Sequence, residues 1–324
     1  MKKQTTFKRV GWVAALVLPL VLLGAPTSAD AFDLSYLSYL LRIKYLSSLS
    51  YNLPSRDLNG IYLNDQYLDD QYIVAVSLDN VRMKHGRPAS LRLNGTAFNR
   101  GGRIEGAEFT AWVDDGSELT LRVDAVEAPR RWTDSYIIRY YVSYESDEGR
   151  MPLCGTDEYG APIAAIPLSG RWDYSAGTET GGAYIPDDRV FTFACEGYVL
   201  EKCVAAGYPP WAEVFACRNR RDCKWISLQP YHQACTRMLR ADFCGNGTSY
   251  TENNVLVALY DGLGIRIDTE DWRVEAEWDE DGAVCASDGR VEELTPTCAE
   301  SLTDDACGDK THFQDGILII SELP

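Results

Sequence analysis

Ten cysteines in a chain of 324 residues, all between Cys154 and Cys307, limit what this sequence can fold into more than any other feature. An even number gathered into one part of a chain reads as a disulfide framework made in an oxidising compartment. Cys154, Cys195, Cys203, Cys217, Cys223, Cys235, Cys244, Cys285, Cys298 and Cys307 are therefore all expected to pair. The pairing scheme stays open at all but one place. Cys217 and Cys223 bracket the short loop CRNRRDC, which can close on itself. Cys195 and Cys203 lie in a segment of helical look, ACEGYVLEKCVAAGY, and are expected to find partners elsewhere.

The stretch Pro230 to Gly247, PYHQACTRMLRADFCGNG, reads as a helix opened by Pro230 and closed by Gly245-Asn246-Gly247. On such a helix Tyr231, Cys235, Met238 and Asp242 share one face, and Gln233, Arg237, Arg240 and Cys244 the other. Cys235 and Cys244 would then sit about 13 Å apart and point in opposite directions, so they cannot bridge to one another. Each must reach a different partner, which makes the helix a cross-linked hub.

Lys2, Lys3, Lys8 and Arg9 precede an apolar run from Val10 to Gly24 and a small-residue stretch ending Ala29-Asp30-Ala31. That order predicts a secretory signal peptide over 1–31. No cysteine precedes Cys154, so a lipid-attachment site is missing and the mature chain is expected to be untethered. No later run approaches the ~18 apolar residues of a membrane span. Without 1–31 the formal net charge moves from −17 to −20. Nucleic acid is excluded as a natural partner on that balance. The acid is concentrated between Asp261 and Asp309, where 16 Asp and Glu face three Arg. Solvated, solubilising charge is the expected role of that tract.

Residues 32–52 form a lead segment rich in Leu, Tyr and Ser. From 53 to 92 an apolar residue recurs at every fifth position, at Leu53, Leu58, Leu63, Leu68, Ile73 and Leu78. A five-residue period fits neither helix nor strand and suggests a short pentad-repeat coil leaning on the domain after it. Leu93 and Phe98 return to the same phase. Phe109, Ala111 and Val113 then alternate with polar residues, Asp114-Asp115-Gly116 turns the chain, and Leu119, Leu121 and Val123 alternate again, which predicts a hairpin. A third strand is read over 136–144, and Trp272 to Trp278 reads as a half-buried strand with Arg273, Glu275 and Glu277 facing water. Ile317 to Ile320 reads as a closing strand in a C-terminal segment over 311–324. The fold class is α+β: a β-rich, disulfide-stapled globular domain over 93–310, preceded by the pentad segment. Its part over 93–150 is β-rich, and its part over 151–310 carries the cysteines.

Arg240-Ala241-Asp242-Phe243-Cys244-Gly245 resembles the signature of the ADYC domain, named for Ala-Asp-Tyr-Cys. Further segments resemble the same family: Pro152-Leu153-Cys154-Gly155, Ile166 to Tyr174, Phe191 to Cys195, His232 to Arg237, and Asp268 to Trp272. Together they run from about Leu93 to Cys298. The resemblance implies an exported bacterial protein, often with Leu-Asn-Gly repeats before the domain, and brings no assigned activity with it. This chain has Phe243 where the family has Tyr, and CRNRRDC looks like its own elaboration.

The candidates for chemistry are few. Asp242, on a core-like face near a helix C-terminus that disfavours a carboxylate, needs a partner and is expected to be an anchor for backbone N–H groups or an arginine. As an acid or base it would serve an extracellular carboxylate-dependent hydrolase, with Asp261 as the second candidate. His232 and Cys235 are close enough on a helix for a thiol nucleophile and its base, but an even cysteine count argues against a free thiol. His85, His232 and His312 form no metal motif, and Asp279-Glu280-Asp281-Gly282 lacks the alternating ligands of a calcium loop. No metal or cofactor is expected. Arg218, Arg220 and Arg221, with Trp225 beside them, are the binding candidates. A disulfide-closed basic loop flanked by aromatics suits phosphate, uronate or another anionic surface polymer. A non-catalytic binding or cell-surface interaction module, secreted or held in the periplasm or at the cell surface beside other envelope proteins, is thus the leading expectation. The carboxylate hydrolase is the alternative.

Overall fold

The computed structural model describes residues 62–64, 68 and 71–324, apart from 80, 84–87, 90, 96, 99–103, 128–136, 220–221, 270, 288, 292 and 303–306. The expected signal peptide, the lead segment and the first pentads lie outside the described residues.

Six antiparallel strands of a nine-stranded sheet organise the first half: β1 Ile73–Ser77, β2 Glu108–Val113, β3 Glu118–Glu127, β4 Arg139–Ser146, β5 Ala165–Ser169 and β6 Val190–Cys195. Their order is β1-β6-β5-β4-β3-β2, and β1 also pairs with β2, through Ile73↔Val113 and Val76↔Ala111. These six strands therefore close into a ring, so each of them is paired on both sides. The β2–β3 hairpin has the register its alternation predicts, with Phe109 opposite Leu121 and Ala111 opposite Leu119. Phe109, Leu121, Val123, Tyr140, Val142, Phe191 and Phe193 fill the interior. Phe191 lies edge-on to Phe109 and Phe193, with ring centroids 5.4 and 4.8 Å apart.

The period of five does not produce a coil where the structure describes it. Ile73 opens a barrel strand that pairs with both its neighbours, and Leu93 and Phe98 face one another across a small hairpin. The run IVAVS has the β-branched content of a strand, and the ring offers it two partners at once.

β5 and β6 are apolar on both faces because both faces are covered. Phe193 and Cys195 point into the barrel, while Ile166, Leu168 and Ala194 belong to a second core outside it. That second core holds two helices, α1 Val199–Ala205 and α2 Gln229–Arg240. Between them stands a hairpin, β7 Glu213–Asn219 and β8 Asp222–Ser227. The C-terminal sheet is β9 Ala258–Asp261, β10 Arg273–Trp278, β11 Ala283–Ala286 and β12 Ile319–Leu323, in the order β9-β12-β10-β11. The closing strand is thus central, and α2 packs on β10 and β12.

All ten cysteines are paired: Cys154–Cys195, Cys203–Cys235, Cys217–Cys223, Cys244–Cys298 and Cys285–Cys307. Cys195 ends β6 and Cys203 lies in α1, so the segment between them is not one helix. Gly197, at φ 87°, breaks it.

α2 departs from its sequence reading at the C-terminal end. It stops at Arg240, and Ala241 takes the left-handed conformation at φ 51° and ψ 40°. Ala241 N–H bonds to Met238 O and Asp242 N–H to Arg237 O, each at 2.9 Å, the paired bonds of a Schellman cap. Asp242 and Cys244 consequently lie beyond the helix in the adjoining turn. Both sides of the helix are covered, since every residue from Tyr231 to Arg240 is buried.

Candidate functional site

The polar side of α2 is buried against two loops, and the turn after the helix is clamped between them. Gln233 Oε1 accepts from Trp172 Nε1 at 3.1 Å, and its Nε2 donates to Gly182 O at 2.9 Å. Arg237 Nη1 donates to Gly181 O and to Asp242 Oδ2, and Arg240 Nη2 donates to Gly247 O. Burial pulls the Arg240 guanidinium below its ordinary value, against the opposing pull of Asp242. Asp242 itself is fully buried. Its Oδ1 accepts Asn246 N–H at 3.1 Å and its Oδ2 accepts Gly247 N–H at 2.9 Å. On the other flank Ala283 N–H donates to Phe243 O at 3.0 Å. Gly182, at φ 72°, lies so close that a Cβ would come 3.1 Å from Asp242 Oδ2. Phe243 packs its ring on Trp278, with centroids 5.1 Å apart.

Asp261 is held in the same manner at a different place. Its Oδ2 accepts from Tyr208 Oη at 2.7 Å and Arg266 N–H at 2.8 Å, and its Oδ1 from Leu263 N–H at 2.7 Å and Ile265 N–H at 3.2 Å. Burial raises its carboxyl above the ordinary range, and those donors oppose the rise. The hydrogen bonds of Asp242 and Asp261 have no residue in common.

Two further carboxylates, expected to face water, are buried in β10. Glu275 receives a fork from Arg290, Nε at 2.8 Å and Nη2 at 2.7 Å, with both side chains sealed from solvent. Arg290 Nη1 also donates to Leu239 O at 3.1 Å, tying the pair to α2. Glu277 accepts Gly308 N–H at 2.6 Å and lies 2.9 Å from His312 Nδ1. Burial also pushes the Glu322 carboxyl up to about 6, with neighbouring Asp268 adding to the rise.

His232 is buried, with Nε2 at 2.9 Å from Leu200 O and, among the described residues, no hydrogen-bond partner for Nδ1. Burial pulls it down to about 4. Cys235 is bonded to Cys203, so no thiol stands beside that histidine. Glu277, Cys285 and Cys307 place donor atoms within 4.8 Å of one another, but the two sulfurs are bonded together and the carboxylate is already engaged. Asp279 Oδ1 accepts the N–H groups of Asp281 and Gly282, so the acidic tetrad closes its own turn.

Cys217–Cys223 closes the β7–β8 hairpin. The side chains of Arg218, Arg220 and Arg221 lie outside the described residues. Trp225 is 60% exposed, and its ring stands 5.5 Å from that of Phe215.

The fold and this clamped turn define a disulfide-stapled protein in which the interior of a closed barrel and the core under a helix-covered sheet meet across β5 and β6. The ADYC-domain model matches residues 101–292, more than half of the chain, and the chain belongs to that family. Neither the curated proteins nor the solved structures contain a match. The five disulfides fit an extracellular or other oxidising compartment. Among the described residues no helix is long and apolar enough to cross a membrane.

Proposed function

We propose that the chain is an exported, non-catalytic binding or cell-surface interaction module whose β7–β8 hairpin engages an anionic polymer. The observation that carries this reading is the saturation of Asp242. Both its oxygens are taken by backbone N–H groups, and Arg237 adds a charged donor, all inside a sealed turn. A carboxylate engaged at both oxygens and sealed from solvent builds architecture rather than meeting a substrate. Asp261 is committed in the same way, which weighs against a hydrolase built on these two residues. The hairpin, by contrast, presents an exposed Trp225 and Lys224 next to three arginines in sequence. Guanidinium groups suit carboxylate and phosphate, and an exposed indole adds a flat face for a sugar ring.

The test is retention on immobilised polygalacturonate, a uronate polymer, at low and moderate salt. The mature chain is expected to be retained and to elute as salt rises. A variant carrying Arg218→Glu, Arg220→Glu and Arg221→Glu is expected to flow through. Equal retention of the two proteins would end the proposal, as would an absence of retention of the parent.

A further inference from the structure

The residues before β1 dock at a seam between the barrel and α1. β1 pairs with β6 only at Phe191 and Val190, so its pairing ends before Phe193 and Cys195 are reached. Asn64 takes over at those positions with its side chain. Nδ2 donates to Phe193 O at 2.7 Å, and Oδ1 accepts Cys195 N–H at 2.8 Å. A primary amide carries one donor and one acceptor group at the spacing of a peptide, so it continues the ladder where the strand has stopped. Aspartate has no donor for Phe193 O, and glutamine is one methylene too long.

The preceding residue is read as well. Leu63 accepts Leu200 N–H at 3.0 Å through its carbonyl, and its side chain joins the cluster of Ile166, Leu168, Ala194 and Val199. Tyr174 Oη stands 3.5 Å from Asn64 Nδ2, and its ring stacks on Tyr72 with centroids 5.4 Å apart. Leu63 and Asn64 are 5% and 2% exposed, whereas the neighbouring Tyr62 is 52% exposed. The seam thus reads two consecutive residues and ignores the one before them. Leu-Asn does not bury itself unaided: Asn94, in Leu93-Asn94, lies exposed in its hairpin.

The sequence offers this seam more than one occupant. Leu58-Asn59 repeats the dipeptide five residues before Leu63-Asn64, while the seam holds one unit. We propose that the seam is a Leu-Asn recognition site, filled in its own chain by Leu63-Asn64, through which the repeat segment of a second copy joins one molecule to another. The ligand is an extended peptide bearing Leu-Asn. Recognition rests on the two amide bonds to β6 and on the leucine pocket.

The experiment uses the mature chain with Leu58→Ala, Asn59→Ala, Leu63→Ala and Asn64→Ala, which empties the site of its own units. A fluorescent peptide, DLNGIYLNDQY, is titrated into it and followed by anisotropy. Saturable binding is expected, and DLAGIYLADQY should bind roughly tenfold more weakly or worse, because Phe193 O and Cys195 N–H then lose the amide. In sedimentation the emptied variant should also associate with the parent chain. Equal binding of the two peptides, no binding to the folded variant, or no association with the parent each overturns the proposal. Should the emptied variant fail to fold, Asn64→Asp serves instead, since it keeps the acceptor and loses the donor. The DLNGIYLNDQY peptide should then raise its melting temperature, and no rise overturns the proposal.

Discussion

The barrel and the helix-covered sheet solve the same problem with opposite materials. The barrel interior is apolar, with the rings of Phe109, Phe191 and Phe193 set edge to face among leucine, valine and Tyr140, and one disulfide, Cys154–Cys195, ties it. The second half buries Glu275 with Arg290, Asp242 with Arg237, Asp261 with Tyr208 and Glu277 with His312, and it contains the other four disulfides. Apolar burial is non-directional and tolerates change if volume is kept. A buried ion pair is worth little against an apolar pair of equal size, yet losing one partner is costly. The contrast teaches that the second half holds a specific geometry at the cost of sensitivity to pH and to single substitutions.

Three measurements sharpen or break that contrast. The largest effect is expected from Arg290→Leu, which strands Glu275 in the core and costs about 4 kcal/mol in urea unfolding. Adding Glu275→Leu should recover most of the loss. A volume-conserving change in the barrel, Leu121→Met, should cost less than about 1.5 kcal/mol. Should the arginine variant cost no more than the barrel variant, the two halves do not differ in kind.

Next comes pH. His232 is held near 4 in the folded chain against 6.5 when free. Above pH 6.5 both states are neutral and nothing is lost. As pH falls from 6.5 towards 4 the unfolded chain takes up the proton first, so stability declines, by about 3 kcal/mol across the window. His232→Gln removes that contribution, and its stability curve should be flatter than the parent's by that amount. Parallel curves would show that burial does not hold this histidine neutral.

The smallest effect is a gain. Ala241 occupies a left-handed position that suits glycine, and Ala241→Gly should stabilise the chain by about 1 kcal/mol. A melting temperature unchanged or lowered would mean that the Ala241 methyl, itself fully buried, contributes as much packing as the backbone loses.

The sequence makes the two halves unequally legible. Alternation at Phe109, Ala111 and Val113 announces the hairpin because only one face of each strand is apolar. Closure of the barrel stays hidden, since Ile73 to Ser77 carries the fivefold pattern as well as its strand character, and its two partners lie far along the chain. Pro230 marks the start of α2, but its end carries no glycine. The left-handed turn falls on Ala241 because Asp242 gathers the N–H groups beyond it. Glu275 and Glu277 alternate with apolar residues, and that pattern normally means water. Arg290 and His312, 15 and 35 residues away, cover them instead, and nothing local foretells it. The clamp around Asp242 left a faint trace in Gly181-Gly182 and Gly245-Asn246-Gly247, where Gly181, Gly245 and Gly247 meet backbone and Gly182 meets the Arg237 and Asp242 side chains.

β6 is the common wall of both halves, and that has a consequence for how the molecule matures. It is the last strand of the ring to be made, well over a hundred residues after β1. Until it arrives, β1 and β5 each present a bare edge, and the two helices made after it have no floor to settle on. Pairing across so long a stretch of chain is slow, and bare edges invite association with other chains. A chain made from its N-terminus is therefore more than half complete before the ring can close. The six residues Val190–Cys195 are the point at which waiting ends for both halves at once.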